Sequence, residues 1–242
     1  MRAFARRQLT SWPGVMRQSA AAHVRDRNRG TGQRITARRA ILTLGVIAAL
    51  AAPFTAAHPV PEVTPIPRDS SLAGQLLVAE PDMGDPRFQH AVILIVQHSK
   101  TGALGIIINR PIEERPMASL LQAIGQSTAG IEGSVRIFAG GPVEPQIGFI
   151  VHSPEYHLTQ TVDIDERVAM TSSPKVLRDI GHGKGPRKTL VAFGYAGWGP
   201  GQLEGELARH GWFTIPDDPK LVFDMDRDKV WEAALARRTV PL

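Results

Sequence analysis

The 242-residue chain has no cysteine. Disulfide bridges, thiolate-ligated zinc or iron–sulfur centres and every thiol mechanism are thereby excluded. Its histidines after position 70, at 90, 98, 152, 157, 182 and 210, show no HExxH or comparable ligand spacing, so no metal site is expected. There is no GxSxG elbow for a serine nucleophile. The apolar run Ile41–Ala57, 17 residues interrupted near its end by Pro53, falls short of the roughly 20 apolar residues that a membrane-spanning helix needs. Lysine is missing from residues 1–70, which instead hold 11 arginines against three acids, Asp26, Glu62 and Asp69. The remaining 172 residues carry 17 basic and 20 acidic side chains. The overall charge of +5 thus belongs to the leader, and the part able to fold is mildly acidic. A basic footprint for nucleic acid is not a property of that part, and direct nucleic-acid binding is not expected of it.

The leader has the layout of an export signal. Arg38 and Arg39 precede 17 uncharged residues, Ile41 to Ala57, with the small residues Thr55 and Ala57 at the end. Residues 1–57 are read as this leader, with cleavage after Ala57 and an exported, periplasmic product. A cytoplasmic protein with a misassigned start is the alternative. Residues 58–70, with Pro59, Pro61, Pro65 and Pro67, read as an extended linker, and residues 71–242 as a single domain.

Within that domain, Leu76–Ala79, Ala91–Gln97 and Ala103–Asn109 are apolar, β-branched runs and read as buried strands, the last two forming a hairpin over Gly102. Met117, Leu120, Leu121 and Ile124 have helical spacing before a stop at Gly125. Val135–Phe138 and Ile147–Val151 read as a strand pair around the Gly140-Gly141-Pro142 turn. Ser173 and Pro174 open a short helix that ends at Gly181. Thr189–Phe193 reads as a strand, Gly194–Gly201 as a glycine-rich loop, and Leu203 and Leu207 as the stripe of a helix. Trp212–Ile215 and Leu221–Phe223 read as strands, and Asp226–Arg237 as a terminal helix. Strand pairs with intervening helices and no regular βαβ alternation indicate an α+β fold with a mixed, largely antiparallel sheet.

The loop Gly194-Tyr195-Ala196-Gly197-Trp198-Gly199-Pro200-Gly201 is the most informative stretch, because backbone N–H groups between a strand and a helix can hold an anion. It fails as a dinucleotide fingerprint, since the sixth position from Gly197 is Gln202. The segment Gly181–Thr189 fails as a P-loop, with Arg187 where glycine is required. Gln202 and Glu206, four apart on the helix, share a face and are candidates for a pocket wall, whereas Glu204 and Glu206 point apart. His98 and His152 are candidate acid–base groups.

Taken together, Ser71–Ala79 with Asp85 and Phe88, Gly102–Gly105 running to Asn109-Arg110-Pro111, Gly140–Val143 with Gly148-Phe149 and His152, Ser172-Ser173, and Gly194–Leu203 with Glu206 and Trp212 resemble the YqgE/AlgH family. The resemblance covers essentially all of 71–242. It implies a bulged, barrel-like sheet flanked by helices, a transcriptional-regulator label, and no settled reaction or ligand. No cofactor is expected.

Three function classes follow. The first is a non-catalytic binding or regulatory module holding a small anionic ligand or a protein partner. Its candidate pocket comprises Asn109, Arg110, Gly140, Gly141, Pro142, His152, Gly194, Tyr195, Gly197, Trp198, Gly199, Gly201, Gln202 and Glu206. The second is an enzyme using the same pocket on a small anionic substrate. The third is the direct regulator of the family label.

Overall fold

The computed structural model describes residues 71–238. The predicted leader 1–57 and linker 58–70 lie outside the described residues. Ten strands form one sheet: β1 (Gln75–Ala79), β2 (Val92–Ser99), β3 (Gly102–Ile107), β4 (Pro111–Pro116), β5 (Ser134–Ala139), β6 (Val143–His152), β7 (Val162–Asp163), β8 (Ala169–Thr171), β9 (Thr189–Trp198) and β10 (Trp212–Pro216). The main path runs β10-β1-β2-β3-β9-β6-β8-β7, with the β4–β5 pair branching from β9 through β5. Every pairing is antiparallel except β5 with β9. The helices are α1 (Met117–Ala123), α2 (Pro174–Gly181), α3 (Gln202–Ala208) and α4 (Val230–Leu235). The α+β expectation holds, as a curled, half-barrel sheet with a few helices on it.

Strand alternation sorts side chains into separate cores. Leu76, Val78, Val92 and Leu94 meet in one cluster, and the intervening Leu77, Ala79, Ile93 and Ile95 in a second, which Leu203 of α3 covers. A third joins Ile137, Ile150 and Val191 to α1 and α2 through Met117, Leu120, Val176 and Leu177. The apolar runs read in the sequence are continuous because both faces of these strands are covered. Ser173 caps α2 by accepting from the Lys175 N–H (3.4 Å), with Pro174 at the first helical position, as expected.

Four local expectations are corrected. Of Gly194–Gly201 only the last three residues turn between strand and helix: β9 continues through Trp198. At Gly194, φ +76°, the alternation of β9 shifts by one residue, opposite an irregular stretch of β6 between Val143 and Gly148. Before it Leu190 and Ala192 face the first cluster; after it Tyr195 does, while Ala196 and Trp198 face the second. Nor do β5 and β6 pair with each other around Gly140-Gly141-Pro142, because β9 lies between them. Leu221–Phe223 is part of a π-helical turn, Lys220–Asp224, where the Asp218 carboxylate accepts from the Lys220 N–H (2.8 Å) and Pro219 sets the first turn. Residues 226–237 split into a 3-10 turn, Arg227–Lys229, followed by α4.

Candidate functional site

At the crossing of β6 and β9 the glycines are there for contact between backbones. A Cβ on Gly140 would lie 2.3 Å from the Gly194 carbonyl oxygen, and one on Gly194 2.4 Å from that of Gly141. The Gly140 N–H donates to Phe193 O and its carbonyl accepts from Ile107 N, so these groups are used within the fold. Tyr195 is 2% exposed; its hydroxyl has no partner, and burial holds its pKa well above the usual value. The T-shaped contact of Tyr195 with Phe149 fixes the ring in the first cluster.

Trp198, 3% exposed, belongs to a different constellation. Its indole N–H donates to Glu206 Oε2 at 2.9 Å, and Trp212 Nε1 donates to the same oxygen at 2.9 Å. Gln202 Nε2 donates to Glu206 Oε1 at 2.8 Å while its own Oε1 accepts from the Gly199 N–H. The shared face of Gln202 and Glu206 thus exists. It binds α3 to β9 and β10, with Gly201 at φ +70° forming the entry to the helix. Gly197 packs against the Tyr195 ring, and its hypothetical Cβ would sit 3.2 Å from that ring.

Asn109 and Arg110 brace the segment ahead of β2. The Asn109 carbonyl accepts from Val92 N (3.0 Å) and its amide donates to His90 O (2.8 Å). The Arg110 guanidinium donates to Arg87 O and Gln89 O. Pro142 precedes β6, and His152, which ends it, is 0% exposed. His152 Nδ1–H donates to Ser153 O, leaving Nε2 as a buried acceptor without a partner, and burial lowers its pKa. His98 Nδ1 accepts from Leu72 N (3.0 Å), so the proton is on Nε2 and is donated to Glu204 (2.9 Å). Glu204 and Glu206 do part company, as their spacing required.

A family model described as AlgH-like matches residues 76–242. A UPF0301 protein of Jannaschia sp. is 45% identical over 166 residues, 68% of this chain and 86% of that one. A UPF0301 protein of Methylococcus capsulatus is 40% identical over 182 residues, 75% and 98% of the two chains. The chain belongs to the AlgH-like family. The solution structure of the AlgH protein from Pseudomonas aeruginosa superposes with a TM-score of 0.61 at 37% identity, covering 73% of this chain and 93% of that one.

The AlgH-like domain also has a groove at the start of β9, away from that strand's glycine-rich half. One part of about 490 Å³ lies between β5, β9 and the π-helical turn; a second of about 350 Å³ lies along β4. Both are lined by Glu114, Arg136, Asp226 and Arg227. Arg227 is 6% exposed, and its guanidinium donates to the carbonyls of Met225 and Val222, closing the π-helical turn. Burial and the nearby Arg136 charge lower its pKa. Arg136 is exposed and has no ion-pair partner among the described residues. Sequence reading missed both arginines, because Arg227 lies in the polar run Asp226–Lys229 and nothing in that run marks one member as buried. Among the described residues no helix is long and apolar enough to cross a membrane.

Proposed function

We propose that the chain is a non-catalytic binding module, exported from the cytoplasm, that takes a ligand bearing an anionic group in the groove at Arg136. The supporting observation is the state of the two candidate acid–base histidines. Both ring nitrogens of His98 are engaged, His152 is sealed in the core, and neither lines the groove. General acid–base work requires a group within hydrogen-bond reach of a bound substrate, and neither histidine offers one to the groove. Arg136, in contrast, is open and has no ion-pair partner among the described residues, and phosphate or carboxylate recognition by a guanidinium needs no proton transfer. Glu114 and Asp226 line the same groove, so the rest of the ligand is neutral or cationic rather than a second anion.

Native mass spectrometry of the purified domain after incubation with the small-molecule fraction of its own cells tests this reading. A stoichiometric adduct of constant mass is expected. Arg136→Ala is expected to weaken it more than tenfold, the effect of losing a hydrogen bond to a charged group at roughly 1.5–3 kcal/mol. Conversion of one component of that fraction into another over time, abolished by His98→Asn, would show an enzyme instead. Export has its own test in the N-terminal sequence and intact mass of the protein from separated periplasmic and cytosolic fractions. A periplasmic species beginning near His58 is expected; a cytosolic species beginning near Ser70 would contradict export.

A further inference from the structure

A sheet whose ends do not pair needs something else to close it. β10 pairs with β1 and β7 with β8, and among the described residues no ladder joins these two ends. Yet both ends contribute to one core, Leu76 and Ile215 from one side and Val168 and Met170 from the other belonging to the same cluster. The polar contact across this seam is made by Asp217, just after β10, and the turn before β8. The Asp217 side chain is fully buried, and Arg167 Nη2 contacts its Oδ1 as an ion pair. Neither carboxyl oxygen of Asp217 has a hydrogen-bond partner of good geometry. The same guanidinium nitrogen, Arg167 Nη2, also reaches Asp165 Oδ2 at 3.3 Å, which brings the two carboxyls onto one cation, and Asp165 Oδ1 accepts from the N–H groups of Arg167 (2.7 Å) and Val168 (2.9 Å). Gly74, at φ +81°, completes the junction: a Cβ there would lie 3.2 Å from Asp165 Oδ2, and the Asp217 N–H reaches Gly74 O at 3.4 Å.

Two carboxyls this close in a buried place cannot both ionise cheaply. We propose that Asp165 and Asp217, bridged by Arg167, form a clasp that closes the seam of the curled sheet while only one of the two carboxyls is ionised, and that loss of the remaining proton loosens it.

The electrostatics agree with the geometry. Burial first, and the Asp165 carboxylate second, push Asp217 up to about 7, while Asp165 is lowered, chiefly by its backbone hydrogen bonds against the cost of burial. The other charges facing Asp217 are Arg167, which favours ionisation, and Asp218, which opposes it and is paired with Arg237 at 2.7 Å. β1, with sequence QLLVA, adds no ionisable group. In the unfolded chain Asp217 ionises near pH 4, whereas in the folded chain it keeps its proton to about 7. The folded state therefore binds the extra proton between those values, and stability falls as pH rises through that window. Asp165 acts oppositely, since its contribution is lost only as pH falls below the ordinary carboxylate range, outside the window from 5 to 8.

The test is amide hydrogen exchange between pH 6 and 8, corrected for the intrinsic rate, together with thermal melts of the intact chain. Protection in 164–171 and 212–216 is expected to fall about tenfold over that range, with β3 and β6 unaffected. Asp217→Asn, which mimics the protonated carboxyl, is expected to abolish this dependence and to melt higher than the parent at pH 8. Asp165→Asn is expected to move the midpoint down, and Arg167→Gln to move it up. An unchanged pH profile in Asp217→Asn, or loss of protection spread evenly over the sheet, would overturn the clasp. Should Asp217→Asn not fold, equal midpoints in the other two variants would overturn it as well.

Discussion

Gly141→Ala is expected to leave no folded protein. The added Cβ would lie 2.0 Å from the Tyr195 carbonyl carbon and 2.3 Å from both Tyr195 O and Ala196 N. These are backbone atoms of β9, which is hydrogen-bonded to β3 and β6 on its two sides, so they cannot swing away as a side-chain tip would. Relief requires β6 and β9 to separate, and their contact organises the first and third clusters. A domain of this kind has about 5–15 kcal/mol of stability in all, and separating two central strands exceeds it. Soluble yield and far-ultraviolet circular dichroism check this. Gly84→Ala is the matched control, because its Cβ would meet nothing within 4 Å, and its melting temperature is expected to stay near that of the parent.

The second large effect belongs to Glu206. Its carboxylate receives two indole N–H groups and one amide N–H, so Glu206→Leu strands three donors at the junction of α3, β9 and β10. Each buried donor left without a partner costs about 1–3 kcal/mol. Glu206 is only half-buried and water can reach part of the set, so a loss of roughly 2–4 kcal/mol is expected. Urea unfolding followed by tryptophan emission reads it directly, because two of the reporters are the donors themselves. Glu206→Gln is expected to lose less. Its carbonyl still accepts from the indoles, but its amide then faces the Gln202 amide, donor against donor. A loss as large as that of Glu206→Leu would mean that the negative charge, not the acceptor, holds the junction.

Much of the sheet was legible because its strands are apolar on both faces, and runs such as Val92–Val96 and Leu190–Ala192 declare themselves. β4 was not legible. Pro-Ile-Glu-Glu-Arg-Pro has neither alternation nor β-branched density, and it forms a strand only because β5 supplies the ladder at the sheet's edge. The glycine-rich stretch misled for a physical reason: glycine marks a flexible loop and a close backbone approach equally, and only neighbours distant in sequence decide between them. The pairing of Gln202 with Glu206 could be read from helical spacing, but not the two tryptophans that saturate the carboxylate. Asp217 gave no signal, since its environment is assembled from β1, the 165–168 turn and its own strand end, three places far apart in the chain.

The shift of alternation at Gly194 has one more consequence. β9 serves three clusters in turn, and the identity of the side chain offered to each depends on parity counted from either side of that glycine. The strand is therefore a counted object. Gaining or losing a single residue between Thr189 and Gly194 would exchange one face for the other over all that follows, moving Tyr195 out of the first cluster and Trp198 out of the second. Length variation here has to come in twos, or bring a second such shift with it.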